Sequence, residues 1–151
     1  MVGNLKIVLW QPLFPHNAGA VVRLASVVGA QVWFVGKVAF SLGDRAFKRG
    51  ALDYWKYVDI RFVENFDFLE KSALSEVAFF SAKASQSWND VDWKKLRWLV
   101  FGNEVYGLPE VMHRKYQERF IKLPMLTTAR CLNLATSVSA AVYRWVYEMG
   151  Y

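Results

Sequence analysis

The sequence has one cysteine, two histidines and four prolines in 151 residues, and each scarcity removes a class of protein. A lone Cys131 closes no internal disulfide, so a reducing, cytoplasmic setting is the simplest expectation. His16 and His113 stand far apart, with no cysteine at metal-ligand spacing, so no metal site is expected. No apolar run approaches the roughly 18 residues of a membrane span. The opening MVGNLKIVLWQP offers only IVLW before Gln11 and Pro12, short of the apolar stretch of about 7–15 residues in a secretory leader. Both G-x-G-x-x-G and a Walker motif are missing, which removes two familiar phosphate cradles. No repeat, low-complexity tract or linker divides the chain, so residues 1–151 read as one domain.

Acidic residues are also in short supply. Thirteen Asp and Glu face nineteen Lys and Arg, giving a net charge of +6 that favours a polyanionic partner. What is abundant is apolar: 54% hydrophobic composition, with seven Trp, seven Tyr and eleven Phe. That is ample for a core, and part of the aromatic surface is expected to meet a second copy of the chain.

Short apolar runs alternate with helical patterns. Strands are expected at residues 5–10, 31–36, 57–63, 76–82, 96–102 and 118–124. Helices are expected at 17–30, with Asn17 as a possible N-cap and Gly29 at its end, around ENFDFLEKSAL, and at 132–149. SLGDRAFKRGALDYW reads as a basic turn. The alternation predicts an α/β fold, a mostly parallel sheet with helices on both faces. Ligands of such sheets sit beyond the carboxyl ends of the strands.

Three loops at such ends are chemically unusual. QPLFPHNAGAVVRLA (11–25) sets Arg23 in an apolar helix turn, six residues after Asn17. FGNEVYGLPE (101–110) brackets Asn103 and Glu104 with Gly102 and Gly107, so the backbone is free to take positive φ and a ligand can approach closely. Glu104 there is either a helix cap or a group aimed at a ligand. In KLPMLTTARCLNLATSV (122–138), Pro124 stops the strand, Thr127 or Thr128 is positioned to cap, and Asn133 and Ser137 share a helix face. Free amides at a helix start suit polar ligand atoms as well as caps.

Together the three loops resemble the three motifs of the SPOUT superfamily, RNA methyltransferases with a deep C-terminal trefoil knot. The resemblance is nearest to the small stand-alone members that methylate the ribose 2′-hydroxyl of the tRNA wobble nucleotide. It runs nearly end to end, through IVLWQPLFPHNAGAVVRLA, GALDYW (50–55), FGNEVYGLP and LPMLTTARCLNLATSVSAAVYRW in order. It implies S-adenosylmethionine held in the knot, mostly through backbone, at Phe80, Ser81, Ala82, Gly102, Leu123, Cys131 and Leu132. It implies a catalytic set of Asn17, Arg23, Glu104 and Asn133, with Arg130 and Tyr143 facing the anticodon stem-loop of a tRNA. It also implies a homodimer joined by the first and last helices, in which one subunit's Arg23 approaches the other's cofactor. Two positions depart from the pattern. Asn103 stands where close relatives carry proline, and Cys131 where serine is usual, a thiol being a poorer hydrogen-bond donor.

A sulfonium methyl is already electrophilic, so such an enzyme mainly aligns the ribose oxygen and assists loss of its proton. A guanidinium keeps its proton in a protein, so Arg23 is read as orienting the substrate or stabilising developing negative charge. The alternatives are methylation of another tRNA or ribosomal RNA ribose, an inactive dimeric RNA-binding protein of the same fold, and a doubly wound domain serving a small molecule.

Overall fold

The computed structural model describes residues 4–151. Seven strands form one sheet in the order β3-β2-β1-β6-β4-β7-β5, and every pairing is parallel. The strands are β1 (Lys6–Trp10), β2 (Gln31–Val35), β3 (Ile60–Val63), β4 (Val77–Phe80), β5 (Gln86–Ser87), β6 (Trp98–Phe101) and β7 (Phe120–Lys122). Six match the expected runs, and β5, two polar residues at the sheet edge, had no apolar signal. The helices are α1 (Pro15–Val28), α2 (Arg45–Ala51), α3 (Glu110–Lys115) and α4 (Leu134–Glu148).

Side-chain alternation sends one set of strand residues to each face. Ile7, Leu9, Phe34, Ala78, Phe80, Leu99 and Phe101 pack with buried residues of α1, α2 and α4. Val8, Val35, Phe79, Trp98 and Val100 pack on the opposite face with Leu108, Met112 of α3 and Leu69. Burial on both sides is why the central strands read as unbroken apolar runs. Much of the aromatic surplus is used here: Phe80 stacks on Phe101 at 4.6 Å, and Phe79 on Phe120 at 4.9 Å.

Three expectations change. The segment ENFDFLEKSAL is not a helix but two short 3-10 turns, Asp67–Lys71 and Leu74–Glu76. Its Asn65 side chain accepts the Asp67 N–H at 3.0 Å, a local bond that competes with helix formation. The basic turn contains α2, whose N-cap Asp44 accepts from the N–H of Ala46 and Phe47. Asn17 is not the cap of α1: Pro15 occupies the first turn, Phe14 is the N-cap, and Asn17 lies inside the helix. Gly29 closes α1 as expected, in the left-handed region at φ 76° with its N–H on the Ala25 carbonyl.

α1 and α2 meet at glycines. A Cβ on Gly19 would lie 2.4 Å from the Phe47 carbonyl oxygen, and one on Gly50 would lie 2.9 Å from the His16 carbonyl oxygen. The GALDYW segment thus lets α2 press on the N-terminal half of α1. At the other end of the chain, Trp145 of α4 is buried and donates its indole N–H to the Leu96 carbonyl at 2.8 Å. Arg144 lies over Trp88 and Trp93 and pairs with Glu148 at 2.8 Å. These contacts fix α4 against the sheet and set where its polar head falls.

Candidate active site

A cavity of about 600 Å³ opens beyond the carboxyl ends of β4, β6 and β7, where the starts of α1 and α4 meet. Its position is the one expected for ligands of an open parallel sheet. Each expected cofactor contact lines it: Phe80, Ser81 and Ala82 after β4, Gly102 after β6, Leu123 after β7, and Cys131 and Leu132 before α4. So do Asn17, Glu104, Asn133 and Arg130. Arg23 and Tyr143 do not. Arg23 is exposed on α1, its guanidinium 5.9 Å from the Tyr54 ring, and Tyr143 is exposed on α4.

The turn after β6 forms the tightest wall. Asn103 and Gly107 exchange both backbone hydrogen bonds at 3.0 Å, with Gly107 at φ 68°. A Cβ on Gly102 would fall 2.4 Å from the Gly107 carbonyl carbon and 2.5 Å from the Leu108 nitrogen, so glycine is obligatory there. Asn103 is buried; its Oδ1 accepts from the N–H of Val105 and Tyr106, and its Nδ2 donates to the Gln11 carbonyl at 2.6 Å.

Glu104 lines the cavity and also bridges two loops. Its carboxylate accepts the Leu13 N–H at 2.8 Å and the Phe14 N–H at 3.1 Å, 91 and 90 residues away. It therefore ties the turn after β6 to the loop that launches α1. A negative charge at that helix start is also favoured by the helix dipole.

Asn133 caps α4, accepting the Thr136 N–H on Oδ1 at 3.1 Å, and Thr127 and Thr128 take no capping role. Its Nδ2 donates to Oδ1 of Asn17 at 3.1 Å. Asn17 is 4% exposed, lines the cavity and is held there through its Oδ1. Asn17, Glu104 and Asn133, apart in sequence, thus share one cavity.

Sequence reasoning did not single out Phe14, His16, Lys83, Met125 or Tyr106, which also line the cavity. They flank the motifs, and their lining role depends on loop folding that no periodicity encodes. Among the described residues no group of three or more His, Cys, Asp or Glu is placed to hold a metal ion. No described helix is long and apolar enough to cross a membrane.

An all-parallel sheet with a polar-headed cavity at its carboxyl edge defines a ligand-binding α/β domain. The chain belongs to the SpoU rRNA Methylase family, whose profile matches residues 4–143. It is 33% identical to the tRNA (cytidine(34)-2'-O)-methyltransferase of Aeromonas hydrophila, over 97% of this chain and 96% of that protein. It is 29% identical to the enzyme of the same name from Photorhabdus asymbiotica, over 97% of this chain and 95% of that protein. A solved structure described as "Structural insights into the 2-OH methylation of C/U34 on tRNA" matches with a TM-score of 0.85 and 33% identity, covering 96% of this chain and 95% of that one. The AdoMet complex of the SpoU methyltransferase AviRb from Streptomyces viridochromogenes shares the fold, with a TM-score of 0.84 at 22% identity over 99% of this chain and 59% of that one.

Proposed function

We propose that this protein transfers a methyl group from S-adenosylmethionine to the ribose 2′-hydroxyl of the wobble nucleotide of a tRNA. The observation that carries the reading is the convergence of Asn17, Gly102, Glu104 and Asn133 on one cavity, in a chain about 30% identical over nearly its whole length to named wobble methyltransferases. The net charge of +6 suits an RNA partner.

The cavity fits the cofactor. Phe80, Phe101, Leu123, Leu132 and Leu134 give apolar walls for adenine and the methionine chain, while the loops supply backbone polar groups. When bound, S-adenosylmethionine supplies an electrophilic methyl. The residues at Phe80 to Ala82, Gly102, Leu123 and Cys131 to Leu132 would hold it, within the trefoil knot that the family resemblance implies for the C-terminal third. Cys131 is exposed at this wall, and cofactor contacts made through its main chain would not depend on a thiol hydrogen bond.

Asn17 and Asn133, hydrogen-bonded to each other on the cavity wall, would orient the ribose. Glu104 holds the walls together rather than exchanging protons, since both its oxygens accept backbone N–H. Arg23 does not line its own cavity, and a homodimer through α1 and α4 would bring it to the partner's site, where it would steady negative charge on the attacking oxygen. Arg130 would contact RNA phosphate at the cavity mouth, and Tyr143 on α4 would face either RNA or the partner subunit.

The test is incubation with labelled S-adenosylmethionine and unmodified bulk tRNA, then nucleoside digestion and mass spectrometry. A 2′-O-methylated pyrimidine mapping to the anticodon is expected. Cofactor binding without label in any tRNA would overturn the substrate, and no cofactor binding would overturn the enzyme.

A further inference from the structure

The mouth of the cavity has an aromatic rim with no structural task. Tyr106 is 82% exposed, Val105 61% and Phe14 45%, and all three line the cavity together with His16. Tyr106 stacks on no described ring, and Phe14 stacks only on His16, at 5.8 Å. Exposed aromatics at the tips of mobile loops would mean little. These loops are held firmly instead.

Asn103 fixes the Val105–Tyr106 tip through two N–H bonds at 2.8 and 3.0 Å, and it also holds Gln11. Glu104 grips the N–H of Leu13 and Phe14. The two side chains clamp the turn after β6 to the loop before α1, so Phe14, His16 and Tyr106 line one cavity on loops whose relative position is preset. Polar links that fix two loops while their aromatic rings stay exposed are the arrangement of a stacking platform. On the same cavity Lys83 and Arg130 are both exposed, giving positive charge beside the rings. Flat apolar faces with neighbouring cations match one nucleotide: a base for the rings and phosphates for the charges.

We infer that the rim of Phe14, His16 and Tyr106 seats the base of the nucleotide being methylated, which leaves the loop stack so that its ribose can enter the cavity. The inference rests on the methyltransferase reading above and adds to it the side chains that receive the base. Such seating is tolerant of base identity, because every base has a π-face; it selects an accessible, unstacked nucleotide rather than a sequence.

The test pairs Tyr106→Ala with an RNA change. Two anticodon stem-loops are compared in the presence of S-adenosylmethionine, one intact and one with an abasic ribose at the target position. Wild-type protein is expected to bind the abasic RNA about tenfold more weakly, within the range known for base–aromatic stacking. Tyr106→Ala should bind the intact RNA about tenfold more weakly and lose little more on the abasic one. Tyr106→Phe should restore wild-type behaviour, since the ring is kept. Equal losses on both RNAs, no loss at all, or a loss confined to S-adenosylmethionine affinity would each overturn the rim as a base seat. If wild-type protein methylates no tRNA, the wobble-tRNA reading fails and takes the rim with it; methylation without coupling between Tyr106 and the base sinks the rim alone.

Discussion

Asn133 donates its side-chain amide to Oδ1 of Asn17 at 3.1 Å, joining the first turn of α4 to the first turn of α1 across 116 residues of sequence. The same Asn133 caps α4, so one side chain both starts a helix and holds a second asparagine on the cavity wall. Asn133→Ala should lower stability by about 1 kcal/mol through the lost cap. It should reduce methyl transfer far more than the folded fraction falls. Urea denaturation and single-turnover assays separate the two effects, and normal transfer by a folded variant would remove Asn133 from the mechanism.

Gly102→Ala places a methyl group 2.4 Å from the Gly107 carbonyl carbon. The backbone of the turn has to shift, and overpacking of this kind costs about 1–3 kcal/mol. Calorimetric titration should show cofactor affinity falling at least as sharply as stability. A variant that binds S-adenosylmethionine as wild type does would show that the turn is not a cofactor wall.

Arg23→Ala removes an exposed side chain and should leave the melting temperature nearly unchanged. Its transfer rate should collapse if Arg23 serves the partner's site. Mixing Arg23→Ala with Asn133→Ala protein would then rebuild one intact site in each mixed dimer, restoring about one quarter of wild-type activity at equal, random exchange. Mixed protein as inactive as its parts would overturn the cross-subunit role.

His113, part-buried on α3, stacks on Phe120 at 4.1 Å. Burial is the main cause that lowers its pKa below the ordinary 6.5, and nearby Lys83 acts in the same direction while Glu110 opposes it. With the folded pKa depressed, the unfolded chain takes up the proton first as pH falls. Stability should therefore be insensitive to this group above pH 6.5 and decline as pH drops below it. His113→Phe keeps the stack and should flatten that part of the stability profile; an unchanged slope would assign it to other groups.

How legible was this in the chain? The central strands were, because burial on both faces writes them as continuous apolar runs such as KIVLW and WLVF. α2 was hidden: RAFKRGA is cationic and carries a glycine, and it is helical because Asp44 caps it and Gly50 lets it press on α1. The start of α1 differs from the expected Asn17 because Pro15, with its φ already helical, begins the helix. The motif residues that line the cavity were named through family resemblance, whereas Glu104's grip on Leu13 and Phe14 spans 91 and 90 residues and has no local signature. Nor could the sequence distinguish Arg23 as a residue outside its own cavity, since an arginine in an apolar turn reads alike whether it snorkels or binds.

The links from Asn103 and Glu104 to Gln11, Leu13 and Phe14 close one side of the cavity before anything enters it. A ligand that meets walls already joined does not have to order them, so little of its contact energy is spent on stilling loops. Heat-capacity change on cofactor binding should then reflect the apolar surface covered by the cofactor itself, without the larger signature of a segment that folds around its guest.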